Sequence, residues 1–262
     1  MGMILHLAAV LLFASMSLAR GADLSASQVR EIVAAATPDK PADLSKKSLE
    51  NLDLSNLDFK GANLSGANLF GAKLDGANLI GANLSGAKLD LAWIMRANFT
   101  DADLSHASLF GPIVSSGLET SPAEAPIFKG TNFSGARIIA RLSRFDLSGA
   151  NFTGAKMGAD MKNQSMGLMR AVLRSSNLDR AVLRDADLSR VDLEFASLKN
   201  ADLTNASLRG AALGGAALIG VTIVGTDFRA ADLASARLIA PIGLEAARNF
   251  DQARNLDRLL RE

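Results

Sequence analysis

From Ala42 the chain advances in steps of five, and this period constrains the fold more than any other feature. Gly61-Ala-Asn-Leu-Ser, Gly66-Ala-Asn-Leu-Phe, Gly71-Ala-Lys-Leu-Asp and Gly76-Ala-Asn-Leu-Ile follow one another without slippage, and the frame holds to Leu109. With the large apolar residue called i, the series runs Leu44, Leu49, Leu54, Phe59, Leu64 and onward, with Ala usual at i−2. A spacing of two is strand alternation, so Ala and Leu point to one side while Asn or Asp at i−1 points to the other. The remaining two positions are rich in Gly, Ser, Asp and Asn, which is turn chemistry. Apolar residues every five positions would wander around a helix and form no stripe. A strand this short cannot bury its own apolar face, so successive turns must coil and stack, each covering the Leu row of the one below. Burial of each Leu contributes about 1.5–3 kcal/mol. Aromatics are only 5% of the chain against 48% apolar residues, which suits a narrow core of Leu and Ala.

The A(D/N)LxG-like run from Ala42 to Leu109, resumed from about Met166 to Leu238, resembles the pentapeptide-repeat family. The resemblance implies an all-β solenoid: a right-handed quadrilateral β-helix with four pentapeptides per coil. The motif identifies a fold and not an activity. Some members resemble a DNA duplex in size and charge and act on gyrase, so gyrase interaction by DNA mimicry is the alternative reading. That role needs acidic columns, whereas this chain carries Lys73 and Lys88 at i−1 and is Arg-rich in its second half. It also needs a cytoplasmic address.

Residues 1–19 are an apolar run ending in Ser17 and Ala19, the small-x-small pattern of signal-peptidase cleavage. The run is shorter than the roughly 20 residues a membrane span needs, so a removable signal and a periplasmic or secreted product are expected. Residues 20–41 hold a capping helix, with Ser25 or Ser27 as N-cap and Pro38 beyond its end. Repeats occupy 42–110. Residues 111–126 carry three prolines and lose the pattern, so they read as a projecting loop. Irregular repeats fill 127–165, with frame shifts after Arg141 and after Met157, and a second regular run, with i residues from Leu168, spans 166–240. One continuous helix with a bulged middle is expected, two stacked subdomains being the other arrangement. Residues 241–262 place Leu244, Ala247, Phe250, Ala253, Leu256 and Leu260 on one helical face, with Glu245–Arg248 and Asp251–Arg254 as i,i+3 pairs, so a C-terminal capping helix is expected. Such caps cover the open strand edges at the ends of a β-helix.

The chain offers little to catalysis. Cysteine is absent, which excludes disulfides, thiolate nucleophiles and Cys-based zinc sites. Past residue 19 the single histidine is His106, at a corner beside Ser105, where a solvated role outweighs that of a general base. Asp187, Asp192 and Asp202 face outward, and the calcium-binding Gly-Gly-x-Gly-x-Asp repeat is missing. No catalytic, cofactor or metal residue is assigned, and no enzyme activity. With 28 basic and 27 acidic residues, the net charge of +1 provides no long-range field toward nucleic acid or an anionic membrane. Folded at four repeats per coil, the second run puts Arg170, Arg190, Arg209 and Arg229 on a single edge, suited to an anionic partner or compensated locally by Asp187 and Asp227. Trp93, outward at i−1, with Phe70 and Phe110 two coils apart at i+1, completes the candidate interaction surface. The reading is an extracytoplasmic scaffold or interaction module for an unidentified protein or anionic envelope partner.

Overall fold

A computed structural model describes residues 21–117, 121, 123–159 and 169–261. The segment read as a signal peptide, and Leu168 at the start of the second run, lie outside the described residues.

The five-residue step closes into a right-handed β-helix of four faces. Each outward i−1 residue bridges its counterpart one coil on: Asp43 pairs with Asn63, Ser48 with Asn68, Asp53 with Lys73 and Asp58 with Asn78, all parallel and twenty residues apart. These four residues begin the first to fourth faces, and each corner is named here for the face it follows. The first face runs unbroken from Asp43 to Ile242 through ten coils. At the usual strand spacing of about 4.8 Å, the stack is roughly 45 Å long. The second face runs unbroken from Ser48 to Arg248, crossing the irregular middle through the pairing of β1 (Ser108–Phe110) with β2 (Arg137–Ile139). The chain is therefore one continuous β-helix. A second extended pairing, β3 (Ala217–Ile219) with β4 (Arg237–Ile239), lies on the fourth face.

The i residues from Leu44 to Leu238 and the alanines at i−2 fill the interior with almost no exposure. Asx turns hold many corners: the Asn63 side-chain oxygen accepts from the Ser65 amide at 3.2 Å, and Asp103 accepts from Ser105 at 2.9 Å. The last residue of each regular corner is left-handed, as at Gly71 (φ 62°) and Leu91 (φ 56°). Phenylalanine thickens the core in the middle coils. Phe128 stacks on Phe99 at 5.0 Å and meets Phe133 at 5.4 Å, while Phe133 stacks on Phe152 at 5.0 Å.

Two insertions leave the coil without turning it. The loop is shorter than the 111–126 expected from sequence. Ile113 still bridges Trp93, Val114 is buried, and Glu124 already accepts the corner bond from Arg96, so the coil is interrupted only between Val114 and Glu124, at the third corner. The prolines and the lost Ala-x-Leu signature hid the repeat at Pro112–Val114. The second insertion lies between Met157 and Ala171 at the second corner, where the Ala171 amide still donates to Met157 across the regular turn. The frame shift near Arg141 is a corner one residue short. Ile138 is followed by Ile139 alone before Ala140 takes the i−2 place, so the bridges that span this corner, Asn132–Asn151 and Arg137–Lys156, are nineteen residues apart instead of twenty, whereas the thirty-one of Arg141–Val172 reflects the second insertion.

At the N-terminal end, α1 (Ala26–Ala34) is capped by a reciprocal box between Ser25 and Gln28, and its Val29 is fully buried against the first coil. Asp23 closes the exposed strand edge: its amide donates to Ser48 and its carboxylate accepts from the Ser48 amide, both at 2.8 Å. The C-terminal end differs from expectation. Residues 241–262 form no capping α-helix among the described residues. They make a last coil with six-residue sides, in which Ile242, Arg248, Arg254 and Leu260 bridge Thr222, Asp227, Asp232 and Arg237. Single 3-10 turns (Leu244–Ala246, Phe250–Gln252, Leu256–Arg258) fill the corners behind left-handed Gly243, Asn249 and Asn255. The apolar residues recur every six positions in two interleaved sets, Leu244/Phe250/Leu256 and Ala247/Ala253/Leu259, and together they imitate the three-residue spacing of a helix face. The expected charge pairs are replaced accordingly: Arg254 lies 4.0 Å from Asp232, and Arg248 donates to the Gly225 carbonyl at 2.6 Å.

Candidate functional site

The second corner carries most of the residues singled out from sequence. Its backbone bonds run from coil to coil: Asn51 to Phe70, Gly71 to Asp90, Leu91 to Phe110, Gly111 to Ile139 and, past the irregular middle, Arg190 to Arg209 and Gly210 to Arg229. Phe70 and Phe110 therefore lie on one edge, two coils apart, and Arg190, Arg209 and Arg229 continue that edge. Arg170 joins them by donating to the Arg190 carbonyl at 2.6 Å.

The lower half of this edge is apolar. Phe70 is 41% exposed, Leu91 between the two phenylalanines is 42% exposed, and Trp93 is 38% exposed beside them on the third face. Trp93 stands between Lys73 and Ile113 in its column, with the Lys73 ammonium 5.8 Å from the ring centre. Phe110 is covered in part by the Arg137 guanidinium at 5.6 Å. Leu91 escaped the sequence reading because it occupies the corner place that glycine usually takes, the signal that could have exposed it. Phe195 occupies the corresponding place at the third corner, is more exposed still, and is covered by Arg174 at 5.2 Å.

The upper half is cationic and only partly compensated. Arg209 reaches Asp227 at 3.5 Å, and Arg170 reaches Asp192 at 3.8 Å. Arg229 donates to the Asn249 side-chain oxygen at 3.3 Å. Arg190 has no ion pair or side-chain hydrogen bond among the described residues. Of the two compensating carboxylates expected from sequence, Asp227 takes that part. Asp187 instead accepts from the Ser189 amide at 3.0 Å. Burial raises the Asp227 pKa, but the Asn249 side chain, the Arg229 amide, Arg209 and Arg229 outweigh it and hold the carboxyl below its ordinary value. Exposed pairs of this kind are worth about 0–1 kcal/mol each, so little energy is lost when a partner's anion takes an arginine over.

His106 is an exposed corner residue with φ 57°, and its ring lies over Gly135. No group of three or more metal-ligating side chains converges among the described residues, and no helix there is long and apolar enough to cross a membrane.

A family model described as pentapeptide repeats matches the chain in eight copies, over residues 42–69, 62–101, 168–205 and 196–234. Similar solved structures include HetL, a pentapeptide repeat protein involved in heterocyst differentiation regulation from the cyanobacterium Nostoc sp. strain PCC 7120. It is 26% identical over 74% of this chain and 84% of that one, with a TM-score of 0.27. A pentapeptide repeat protein from the Arabidopsis thaliana thylakoid lumen is 27% identical over 53% of this chain and 73% of its own, with a TM-score of 0.27. Full-length QnrB1, a plasmid-mediated fluoroquinolone resistance protein, is 21% identical over 83% and 85%, with a TM-score of 0.33. A search of curated proteins finds no match.

Proposed function

Because the chain belongs to the pentapeptide-repeat family and is a non-catalytic scaffold, we propose that it works outside the cytoplasm by holding an anionic protein or envelope surface along its second corner. The observation that carries this reading is the alignment of Arg170, Arg190, Arg209 and Arg229 on one edge, with Arg190 unpaired among the described residues. Guanidinium groups in a row recognise carboxylates and phosphates bidentately, and the rigid coil fixes their spacing before the partner arrives. The test is titration with polyglutamate and dextran sulfate. The wild type is expected to bind with a steep salt dependence, and the quadruple Arg→Ser variant to bind at least tenfold more weakly with its melting curve unchanged. Equal binding by the two proteins removes the arginine edge from the reading. The extracytoplasmic part is tested by fractionation and intact mass: a product beginning near Arg20 in the periplasm or medium supports it, and an uncleaved cytoplasmic product overturns it.

Gyrase interaction by DNA mimicry is the second reading. The insertion between Val114 and Glu124 favours it, since a projecting loop is a feature of some gyrase-protecting members. The lysines and arginines at i−1 oppose it, because they interrupt the columns of the second, third and fourth faces, while the first face alternates its aspartates with neutral residues. Inhibition of DNA supercoiling by the purified chain would establish it, and an unaffected reaction would dismiss it.

A further inference from the structure

The coil-to-coil ladder fails between the same two coils on two adjoining faces, at Ile113–Arg141 on the third and at Ile127–Asp146 on the fourth, and the third-face failure, which opens to solvent, leaves the chemistry of a peptide-binding site. Below it the pattern is regular. Leu74 donates to Trp93 at 2.7 Å, Ile94 to Ile113 at 2.9 Å, and Ile113 back to Ala92 at 2.8 Å. The next two bonds of the series would run from the Val114 amide to the Arg141 carbonyl and from the Arg141 amide to the Pro112 carbonyl. Neither forms, and the Val114 amide has no other partner among the described residues although Val114 is only 6% exposed. The cause lies in the chain. The corner at Ile139 is one residue short, so Arg141 does not come over Ile113, and its bridge is made only upward, to Val172.

The gap opens as a cleft of about 400 Å3. Pro112, Ile113, Val114 and Ile139 supply apolar walls, and Arg141 and Arg170 supply cationic ones. Arg170 is tied to Arg190 and Asp192, but Arg141 is exposed and has no ion pair or side-chain hydrogen bond among the described residues. A buried amide and nearby carbonyls, Pro112 and Arg141, that lack partners among the described residues are satisfied by a ligand that brings both an acceptor and a donor, which an amide backbone does. An apolar wall beside an unpaired guanidinium suits an aliphatic side chain next to a carboxylate. The geometry points to a site for the carboxy-terminal end of an extended peptide whose last residue is aliphatic, held by strand addition in the gap and by its carboxylate on Arg141. A simple fatty acid has no donor for the free carbonyls and is the poorer fit. This site shares Arg170 with the cationic edge but does not depend on that edge binding anything.

Trp93 is the single tryptophan of the chain and bridges Ile113, which lines the cleft, so its fluorescence reports occupancy without a label. The probes are acetyl-Gly-Ser-Val-Leu with a free carboxylate, the same peptide as its carboxamide, and hexanoate, each titrated into the full chain. The acid is expected to saturate, with the carboxamide and hexanoate at least tenfold weaker. Arg141→Gln is expected to weaken the acid at least tenfold without changing the melting curve, while an Arg190→Ser/Arg209→Ser/Arg229→Ser variant binds it as the wild type does. The Val114 amide is expected to exchange hydrogen quickly in the free protein and at least tenfold more slowly with the acid bound. The proposal is overturned if the acid does not saturate, if carboxamide or hexanoate binds as tightly, if Arg141→Gln binds unchanged, if the triple variant loses the peptide, or if the Val114 amide is already protected in the free chain.

Discussion

Leucine at i and a left-handed residue two places later do different work in the regular repeats, and each can be tested singly. Leu188 is fully buried on the second face, so Leu188→Ala leaves a cavity walled by the coils above and below. A loss of about 2–5 kcal/mol is expected in denaturant unfolding. At the corners the sign depends on what already stands there. Leu91 holds φ 56° with a side chain that is largely in water, so Leu91→Gly is expected to stabilise by about 0.5–1 kcal/mol. Gly71 holds φ 62°, and a Cβ there would also meet the Asn51 side chain, so Gly71→Ala is expected to destabilise by about 1–2 kcal/mol. Thermal melts of the two variants should shift in opposite directions. The buried residues of the regular runs were legible from sequence because period five and strand alternation leave one assignment open to each position. The corner residues were less legible: Leu91 and Phe195 look like core residues until the frame places them where glycine belongs.

The terminal elements show where periodicity misleads. α1 was readable because its capping box is local, a matter of Ser25 and Gln28 alone. The last coil was not, since apolar residues three apart fit a helix and a six-residue side equally well. The asparagines decide between them, because Asn249 and Asn255 are left-handed and break a helix at each corner. They also tie the coil down, Asn249 donating to Asp227 at 2.8 Å and Asn255 to Asp232 at 2.7 Å. Asp232 is held below its ordinary pKa by Asn255, then against burial by the Ala234 amide, Arg254 and Arg258, and Asp227 is lowered in the same sense. A carboxyl depressed in the folded state contributes its stability above the unfolded value of about 3.9 and loses it as pH falls toward the lower folded value. The last coil is therefore expected to fray first below about pH 4, seen as faster hydrogen exchange in 243–261 while 62–101 stays protected. Deleting 243–262 uncovers Phe228 and Leu233, and the product is expected to self-associate in size-exclusion chromatography with light scattering.

Across the whole molecule, stability is close to a sum of coil terms and coil–coil interfaces. Two regular stretches flank one weak interface, where the ladder is interrupted between Pro112–Val114 and Arg141 on the third face and between Ile127 and Asp146 on the fourth, and the phenylalanines of the middle coils hold the halves together across it. Phe128 touches Phe99, Phe133 and Phe145, so Phe128→Ala is expected to cost about 3–5 kcal/mol and to split a single unfolding transition into two, resolved by calorimetry. Sequence showed that the middle is irregular, through its prolines and frame shifts. It did not show that 111–114 and 139–142 remain in the coil, because a missing corner residue and a missing motif look alike in one dimension. The closing of a circuit every twenty residues also limits how such a chain can be lengthened. An extra pentapeptide within a regular run would keep its leucine inside and its corner intact, yet everything beyond would swing a quarter turn about the long axis. Arg190, Arg209 and Arg229 would then look out over a different side from Phe70 and Phe110. Gene duplications that copy whole circuits preserve the bearing of one half on the other, and those that copy anything less leave a sound fold with its surfaces dealt to new quarters.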